Sequence, residues 1–275
     1  MSIKLILMDL DGTLLTSDKN ITARTMDTLN RASQAGITIV PCTGRFYDGM
    51  PQIVRDLPFV HYVITVNGAQ IYDVQKKEVL HRAEITPENA CLVYNALDRL
   101  PVIYDSFING WGYMDNSMYQ KINDFITDPC VNRMVRDLRM PVPSLKEYVH
   151  DNNLTVQKIQ MFFQDMNQRQ IAWNALTLEF PQMSVTSSIS NNLELNDIHA
   201  NKGEALDFLA RHLGIERPET MSFGDGSNDL SMIKAAGIGV AMANAGSTLK
   251  ESADFITDTN DQDGIAKAIE NFCFC

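Results

Sequence analysis

The sequence has no hydrophobic stretch long enough to cross a membrane. Its longest apolar run, from Ala235 to Ala243, is much shorter than the ~20 residues that a membrane-spanning helix needs. The apolar opening of the chain is interrupted by Asp9 and Asp11, so it lacks the uninterrupted core of a secretory signal. We therefore expect a cytoplasmic protein that does not act at a membrane.

Cysteine and positive charge are also scarce. The five cysteines are odd in number and scattered, without a CxxC pair, which argues against a disulfide framework or a zinc site and favours reduced thiols. With 23 Lys and Arg against 34 Asp and Glu, the formal net charge is −11, and so acidic a surface repels nucleic acid. An acidic protein can still bind a phosphate group where carboxylates hold a divalent cation.

The hydrophobic pattern is that of an α/β protein. An apolar run at Ile3–Met8, a helical pattern over Arg24–Gln34 and a second apolar run at Ile37–Val40 predict a βαβ unit. Continuous hydrophobicity is typical of parallel strands that are covered on both faces. The same pattern returns late in the chain, with a helix predicted over Lys202–Leu213 and a strand over Thr220–Phe223.

Between these two regions the pattern changes. Helical segments such as Pro87–Leu100 are mixed with alternating strands such as Val156–Phe163, which predicts an α+β domain. At 275 residues the chain is long enough for about two domains. We therefore predict an α/β fold whose core is a Rossmann-like, doubly wound parallel sheet formed by residues 1–84 and 196–275. An α+β domain is inserted at residues 85–195.

Two aspartates, Asp9 and Asp11, follow the first predicted strand directly. Residues i and i+2 of an extended chain point the same way, so the two carboxylates converge where open α/β sheets bind ligands. Gly12 lets the backbone approach a bound group closely. A solvated loop corner is the alternative, because Asp and Gly are common in turns. The position at the head of a βαβ unit favours a functional site.

A second acidic cluster, Gly224–Asp229, follows another apolar strand. Asp225 would reach the same edge of the sheet as Asp9. Oxygen ligands from two strands suit Mg²⁺, which takes one or two carboxylates together with a substrate phosphate oxygen. A calcium loop around Asp261 and Asp263 is the competing interpretation, but a predicted strand precedes it where an EF-hand has a helix.

Two further segments offer positive charge and backbone N–H groups to an anion. The first is Thr43-Gly44-Arg45, which follows the second predicted strand, and the second is Lys202, at the start of a predicted helix. Each is weak alone, since such residues are common after strands and most lysines are merely solvated. Together with the two acidic segments, they predict a phosphate site that includes a divalent cation.

At these four segments the chain resembles the haloacid dehalogenase-like phosphatases, specifically the Cof-type branch, in which a large cap domain is inserted after the third core strand. The motifs are DLDGT at Asp9–Thr13, TGR at Thr43–Arg45, NKGEAL at Asn201–Leu206 and GDGSND at Gly224–Asp229. The segment Asn67-Gly68-Ala69 and the stretch from Gly237 to Ala245 also fit. The resemblance therefore covers nearly the whole chain, and it implies that the inserted domain is a cap.

The resemblance implies a Mg²⁺-dependent phosphatase that hydrolyses small phosphomonoesters, such as sugar phosphates, through an aspartyl-phosphate. Asp9 would be the nucleophile, and Asp11 would be the general acid and then the general base. Thr43 and Lys202 would stabilise the transferring oxygens. The remaining substrate-binding groups would be the backbone N–H groups of Leu10 and Gly44, the side chains of Arg45 and Asn67, and the amide of Asn228. The metal would be held by Asp9, the backbone carbonyl of Asp11 and Asp225. Asp229 would complete the metal site by orienting Lys202 or a metal-bound water.

The resemblance also implies that the cap sets specificity, with Tyr113, Lys158 and Asn191 as candidate lining residues. The expected partner is a small phosphorylated metabolite, and the expected state is a monomer or a weak homodimer. Two alternatives stay open. A phosphomutase would use the same nucleophile and return the phosphoryl group to the sugar. A phospho-receiver or other binding module would keep the aspartyl-phosphate as a signal, although Asp11 would supply the base that destroys it.

Overall fold

The computed structural model describes residues 2–274, which form two compact units. The first unit contains the chain up to Arg82 and from Asn201 onward, and the second contains Ala83–Ala200. The second unit is thus an insertion in the first. It begins two residues before and ends five residues after the predicted segment 85–195, because the last strand of its sheet continues to Asp197.

The helices and strands of the described residues are numbered in chain order. The strands are β1 (Leu5–Met8), β2 (Thr38–Pro41), β3 (Tyr62–Thr65), β4 (Gln70–Asp73), β5 (Glu78–Arg82), β6 (Val102–Ile108), β7 (Trp111–Asp115), β8 (Arg139–Val142), β9 (Lys158–Phe163), β10 (Met183–Thr186), β11 (Asn192–Asp197), β12 (Thr220–Gly224), β13 (Ile238–Ala241) and β14 (Phe255–Ile256). The helices are α1 (Ala23–Gln34), α2 (Gln52–Arg55), α3 (Pro87–Leu97), α4 (Asn116–Tyr119), α5 (Ile122–Phe125), α6 (Pro129–Asp137), α7 (Leu145–Asp151), α8 (Met166–Glu179), α9 (Lys202–Leu213), α10 (Leu230–Ala235), α11 (Ser247–Ser252) and α12 (Gly264–Cys273). None of these described helices is both long and apolar enough to span a bilayer.

The first unit is built on a parallel sheet with the strand order β14-β13-β12-β1-β2. Alternate side chains of β1 point to opposite faces. Ile6 and Met8 pack in the core that contains residues of α1 and α12, whereas Leu5 and Leu7 pack with residues of α9 and α10. Helices on both faces explain why β1 is apolar throughout, and they make this unit a Rossmann-like α/β core. A small antiparallel sheet, β3-β4-β5, adjoins β2.

The second unit is an α+β unit built on one sheet with the order β10-β11-β9-β6-β7-β8. Neighbouring strands are antiparallel, except that β7 and β8 are parallel. Tyr104, Met161 and Leu195 belong to a core that also contains residues of α3, α7 and α8. On the opposite face, Ile103 and Phe162 pack with residues of α5 and α6. This face also carries buried charged side chains, among them those of Asp105, Lys158 and Glu194.

Candidate active site

The carboxyl ends of two neighbouring strands define one edge of the first unit. The parallel register of β1 and β12 places Met8 beside Phe223, and the N–H of Asp9 donates to the carbonyl of Phe223 at 3.0 Å. The residues that follow each strand therefore lie side by side. Asp9 and Asp225 meet at this edge for that reason, although 215 residues of sequence separate them.

Lys202 enters the same edge from the first turn of α9. The helix begins where the side chain of Asn201 accepts a hydrogen bond from the N–H of Glu204 at 2.9 Å. Gly203 packs so closely on the next helix that a Cβ there would lie 2.7 Å from the carbonyl oxygen of Ser231. The cap and this close contact fix the start of α9, and with it the side chain of Lys202.

The buried ammonium of Lys202 bridges two carboxylates. Its Nζ lies 2.6 Å from Oδ1 of Asp9 and 2.6 Å from Oδ1 of Asp229, and the lysine side chain is fully buried. Burial acts to lower the pKa of Lys202, but Asp229 and Asp9 together raise it above its usual value. The amine therefore stays protonated, and it holds the two carboxylates together.

Three carboxylates gather around this lysine. Oxygen atoms of Asp9, Asp225 and Asp229 lie within 4.8 Å of one another. Burial and the other acids raise the pKa of Asp9 to about 7, although Lys202 opposes this shift, and burial and Asp229 raise the pKa of Asp225 to about 6. One ammonium does not neutralise three carboxylates. The set has the oxygen donors and the excess negative charge that fit a divalent cation such as Mg²⁺.

Small and polar neighbours hold Asp225 in this cluster. Thr13 donates from Oγ1 to Oδ1 of Asp225 at 3.0 Å, and Asn244 donates to Oδ2 at 3.4 Å and to the carbonyl of Gly12 at 2.8 Å. Gly12 has a φ of +86°, and a Cβ there would lie 2.4 Å from Oδ2 of Asp225. Only glycine fits this position, which accounts for the glycine of the DLDGT motif.

Asp11 follows Asp9 by two residues, and its carboxylate pairs with two cations other than Lys202. Arg45 donates from Nε to Oδ2 at 2.8 Å and from Nη2 to Oδ1 at 2.9 Å, and Lys19 donates to Oδ1 at 2.8 Å. Burial acts to raise the pKa of Asp11, but the hydrogen bonds and charges of Arg45 and Lys19 hold it below its usual value. The sequence did not predict the contact of Lys19 with Asp11, because a lysine in a polar loop has no local pattern that indicates its partner.

The residues predicted to contact phosphate form a second group. The side chain of Asn228 donates to Oδ1 of Asn67 at 3.1 Å, and a Cβ at Gly44 would lie 2.9 Å from the same oxygen. The N–H of Asn67 donates to the carbonyl of Thr43 at 3.0 Å. The prediction for Leu10 concerns its backbone N–H, and its side chain is buried in the core of the first unit.

The backbone at Asn67 is strained. Val66 and Asn67 have φ values of +50° and +59°, and Gly68 follows at +102°. A left-handed conformation is rare for a β-branched residue and costs of the order of 1–3 kcal/mol. This conformation brings the amide of Asn67 against Gly44 and Asn228, and residues held in strained backbone cluster at functional sites.

The acidic residues near the end of the chain do not form a calcium loop. Asp261 accepts two hydrogen bonds from Ser17, at 2.8 and 2.7 Å. Asp263 accepts from Thr22, and Glu270 pairs with Arg24 at 2.7 Å. Each carboxylate thus binds a separate partner, and together they fasten residues 17–24 to the last part of the described chain.

The described cysteines are consistent with the predicted reduced state. Cys42, Cys91, Cys130 and Cys273 are free, and Cys275 lies outside the described residues. Cys42 follows β2 next to Thr43 and is fully buried, and burial raises the pKa of its thiol. We interpret Cys42 as a packing residue rather than a nucleophile.

The candidate lining residues of the second unit are not brought together on one face of its sheet. Tyr113 packs with the helices on one face and stacks on Tyr148 of α7 with ring centroids 5.0 Å apart. Lys158 alternates with Ile159 of that same core, so it points to the opposite face. Asn191 lies in the loop before β11 and donates to the carbonyl of Phe125 at 2.9 Å.

Comparison with known proteins identifies the family. Residues 6–269 match the model of the haloacid dehalogenase-like hydrolase family. The chain belongs to this family. Several relatives that are 30% identical over nearly the whole chain are named phosphatases, and the chain is accordingly a Cof-type phosphatase of the haloacid dehalogenase-like superfamily, an enzyme that hydrolyses phosphoric monoesters.

Individual relatives match over nearly their whole length. A 5-amino-6-(5-phospho-D-ribitylamino)uracil phosphatase of Bacillus subtilis is 30% identical over 98% of this chain and 96% of its own. A putative phosphatase of Haemophilus influenzae is 30% identical over 98% of both chains. Among solved structures, a haloacid dehalogenase-like hydrolase from B. subtilis is 29% identical, with a TM-score of 0.85 over 98% of this chain and 99% of that chain.

Proposed function

We propose that this phosphatase hydrolyses small phosphomonoesters with Mg²⁺, through an aspartyl-phosphate formed on Asp9. The observation that carries this proposal is the bridge of Lys202 between Asp9 and Asp229 beside Asp225. It holds a buried carboxylate nucleophile next to a fixed cation, and both lie within a cluster that retains excess negative charge. A resident metal ion and an anionic substrate would complete such a cluster.

In the first half-reaction, a carboxylate oxygen of Asp9 attacks phosphorus and the bond from phosphorus to the ester oxygen breaks. The electron pair of that bond goes to the leaving oxygen, which takes a proton from Asp11. Arg45 and Lys19 favour the ionised form of Asp11 in the free protein, whereas the negative charge of a bound phosphate favours the protonated form. In the second half-reaction, water attacks phosphorus and gives a proton to Asp11. The acyl phosphate bond then breaks, its electron pair returns to the carboxylate of Asp9, and inorganic phosphate leaves.

The protein's own residues position the transferring group. Lys202 carries its charge at the nucleophile, and Thr43 follows β2 with its hydroxyl 3.2 Å from the N–H of Arg45. Gly44 and the amide of Asn228 meet at Asn67, where they offer donors to phosphate oxygens. Phosphoryl transfer needs this kind of positioning and charge stabilisation more than it needs covalent chemistry.

Asp9, Asp225 and the backbone carbonyl of Asp11 would hold Mg²⁺, with Asp229 in support. When bound, the ion would offset the repulsion between an anionic substrate and an anionic nucleophile. The donor set fits this ion, because all the side-chain ligands are carboxylates and Mg²⁺ prefers oxygen.

We infer that the substrates are small phosphorylated metabolites, and that the second unit selects among their leaving groups. The name of the B. subtilis relative makes 5-amino-6-(5-phospho-D-ribitylamino)uracil one candidate, alongside sugar phosphates. The relatives differ in their names, so identity of about 30% supports the reaction class more strongly than any single substrate.

The test is a phosphate-release screen over a panel of phosphomonoesters, with Mg²⁺ and with EDTA. Metal-dependent release by the wild-type protein, lost in Asp9→Asn, supports the proposal. Little free phosphate and a requirement for a bisphosphate activator would indicate a phosphomutase instead. A stable phosphoprotein without turnover would indicate a receiver.

A further inference from the structure

The carboxylate of Asp11 is held between two separate parts of the first unit. The guanidinium of Arg45, from the segment after β2, contacts both oxygens, and the ammonium of Lys19 contacts Oδ1 from the turn that follows β1. We propose that Lys19 is a positioning residue for Asp11 during phosphoryl transfer. This inference rests on the proposed function, and it adds a residue that lies outside the family motifs found in the sequence.

The turn that carries Lys19 has a defined shape. The N–H of Lys19 donates to the carbonyl of Thr16 at 2.9 Å, and the N–H of Thr16 donates to the carbonyl of Asn20 at 2.8 Å. The hydroxyl of Thr16 also accepts from the N–H of Asn20 at 3.1 Å. Lys19 itself has a φ of +61°, in the left-handed region that few residues other than glycine adopt. A backbone fixed in this way gives the long lysine side chain a defined starting point.

Hydrogen bonds attach this turn to residues near the end of the described chain. Asp261 accepts from both the N–H and the hydroxyl of Ser17, and Asn260 donates to the carbonyl of Leu15 at 2.9 Å. The N–H of Asn260 donates to Asn244, which also contacts Asp225. Residues 15–17 are thus tied to the loop that supports the acidic cluster. The acidic loop that resembled a calcium site in the sequence holds this turn in place.

Arg45 alone does not fix the position of Asp11 from both sides. Its Nη1 donates to the carbonyl of Gly49 at 3.1 Å, so the guanidinium moves with the segment after β2. Lys19 ties the same carboxylate to a different segment. A group that transfers a proton must lie within about 2.6–3.2 Å of its partner atom, and a displacement of about 1 Å can cost about 100-fold in rate. Two independent attachments limit such displacement.

The contact is too exposed to serve mainly for stability. The side chains of Lys19 and Asp11 retain 57% and 36% of their exposure. Exposed ion pairs contribute little to folding because solvent screens them and ordering the side chains costs entropy. Replacement of Lys19 should therefore leave the fold intact, and any effect on catalysis would report on the position of Asp11.

The experiment compares two substrates that differ in their need for a proton on the leaving oxygen. The alkoxide released from an alkyl phosphate must be protonated, whereas p-nitrophenolate leaves readily without a proton. The measured parameter is kcat/KM, which reports the steps from substrate binding to transfer of the phosphoryl group to Asp9. For Lys19→Met we expect kcat/KM to fall about tenfold with an alkyl phosphate and less than about twofold with p-nitrophenyl phosphate, because only the first needs the proton of Asp11. Loss of the charge of Lys19 by itself raises the pKa of Asp11 and favours the acid form, so a fall in rate reports the lost position of Asp11.

Lys4→Met is the matched control. Lys4 is also an exposed lysine in an ion pair, with Glu219 at 2.6 Å, but it precedes β1 at the end of the strand opposite to Asp9. We expect it to change neither rate. Lys19→Arg keeps a donor and a positive charge, and it should recover most of the activity toward the alkyl ester.

A second variant acts on the turn without removing the lysine. Asp261→Ala removes both contacts to Ser17, and we expect it to shift the ratio of alkyl to aryl rates in the same direction as Lys19→Met but by less. Thermal unfolding of each variant shows whether the fold is retained.

Equal losses with both esters in Lys19→Met would overturn the inference, since that result would place Lys19 on the substrate phosphate instead. Unchanged rates with both esters would overturn it as well. If the wild-type protein itself releases no phosphate, the proposed function fails and the role of Lys19 falls with it. Phosphate release by the wild type with an unchanged ratio in Lys19→Met would remove only the role of Lys19.

Discussion

Each unit buries a cluster of charged side chains, and the two clusters differ in balance. In the first unit, three carboxylates, of Asp9, Asp225 and Asp229, surround the single ammonium of Lys202. The surplus of negative charge is costly in a buried place, and burial together with the neighbouring carboxylates raises the pKa of Asp9 and of Asp225. Such a cluster gains from a cation that is not part of the chain.

In the second unit the charges match. Asp105 pairs with Arg139 at 2.9 Å and Glu194 pairs with Lys158 at 3.1 Å, and all four side chains are almost fully buried. Both cations lie over the ring of Phe107, at 4.4 and 4.5 Å from its centroid. Gly112 leaves room for the arginine, since a Cβ there would lie 2.2 Å from Cδ of Arg139. Here the chain supplies the opposite charges itself, although burial still raises the pKa of Asp105 and its oxygens accept no hydrogen bond from the described residues.

The difference between the clusters separates a site from a structural network. The fold holds an unbalanced cluster at a cost in electrostatic free energy, and a bound ligand of opposite charge can lower that cost. A balanced cluster is neutralised by its own members, so it depends on each of them. Removal of a carboxylate should therefore lower the charge surplus of the first cluster, whereas in the second cluster it should leave a buried cation unpaired and destabilise the fold.

Asp9→Asn is expected to have the largest effect on the reaction. The amide has nearly the volume of the carboxylate but does not act as the nucleophile, so turnover should fall by about 10³-fold or more. Thermal unfolding should stay cooperative. A well-folded Asp9→Asn protein that keeps substantial metal-dependent turnover would contradict the covalent mechanism.

Asp105→Asn is expected to have the largest effect on stability. It leaves the buried guanidinium of Arg139 without its anion, which should cost about 3 kcal/mol of the free energy of unfolding. Urea denaturation measures this loss. Glu219→Gln, which breaks the exposed pair with Lys4, is the control and should change the midpoint little. A similar midpoint for Asp105→Asn and Glu219→Gln would mean that the balanced network does not support the second unit.

The core of the first unit could be predicted because its signals are local. The predicted helix Arg24–Gln34 is observed as Ala23–Gln34, and the predicted strand Thr220–Phe223 as Thr220–Gly224. A strand that is buried on both faces is apolar throughout, and this pattern is visible in a few residues of sequence. Motifs at the ends of such strands are brought together by the parallel register alone.

Other features could not be predicted because they depend on partners far away in the sequence. Ser17 meets Asp261 across 244 residues, and neither has a local pattern that indicates the other. In the second unit, α5 and α6 are short and were not predicted, since so short an amphipathic segment resembles a loop. Alternation along β9 also places Lys158 on the face opposite to Tyr113, which a list of polar residues does not reveal.

Asp225→Asn should weaken metal binding without loss of stability in the metal-free protein. Mg²⁺ should stabilise the wild-type protein by about 2.7 kcal/mol at a hundred times its dissociation constant, since it binds only the folded state. In Asp225→Asn this stabilisation should shrink or vanish at the same concentration, because one ligand is lost and the charge surplus is smaller. Titration of the unfolding temperature with Mg²⁺ measures both effects. Asp207→Asn, on the exposed side of α9, is the matched control and should respond to Mg²⁺ like the wild type.

The smallest expected effect is a pH dependence that comes from the burial and crowding of the carboxylates of Asp9 and Asp225. In the metal-free protein, the pKa of Asp9 is raised to about 7 and that of Asp225 to about 6, whereas the unfolded chain ionises these groups near their usual value. Between these limits the folded state binds more protons than the unfolded state, so stability is highest at low pH and is lost as pH rises toward 7. We expect a decline on the order of 1 kcal/mol between pH 6.5 and pH 8 in EDTA.

Because other groups titrate in the same range, the decline is best measured as a difference between variants. Urea denaturation of the wild-type protein and of Asp225→Asn at both pH values isolates the contribution of the cluster. The slope should be shallower in Asp225→Asn, and Mg²⁺ should reduce the slope of the wild type, since the cation offsets the charges that appear as the carboxylates ionise. Equal slopes in both proteins would mean that the three carboxylates do not destabilise the metal-free fold, and the contrast between the two clusters would then rest on geometry alone.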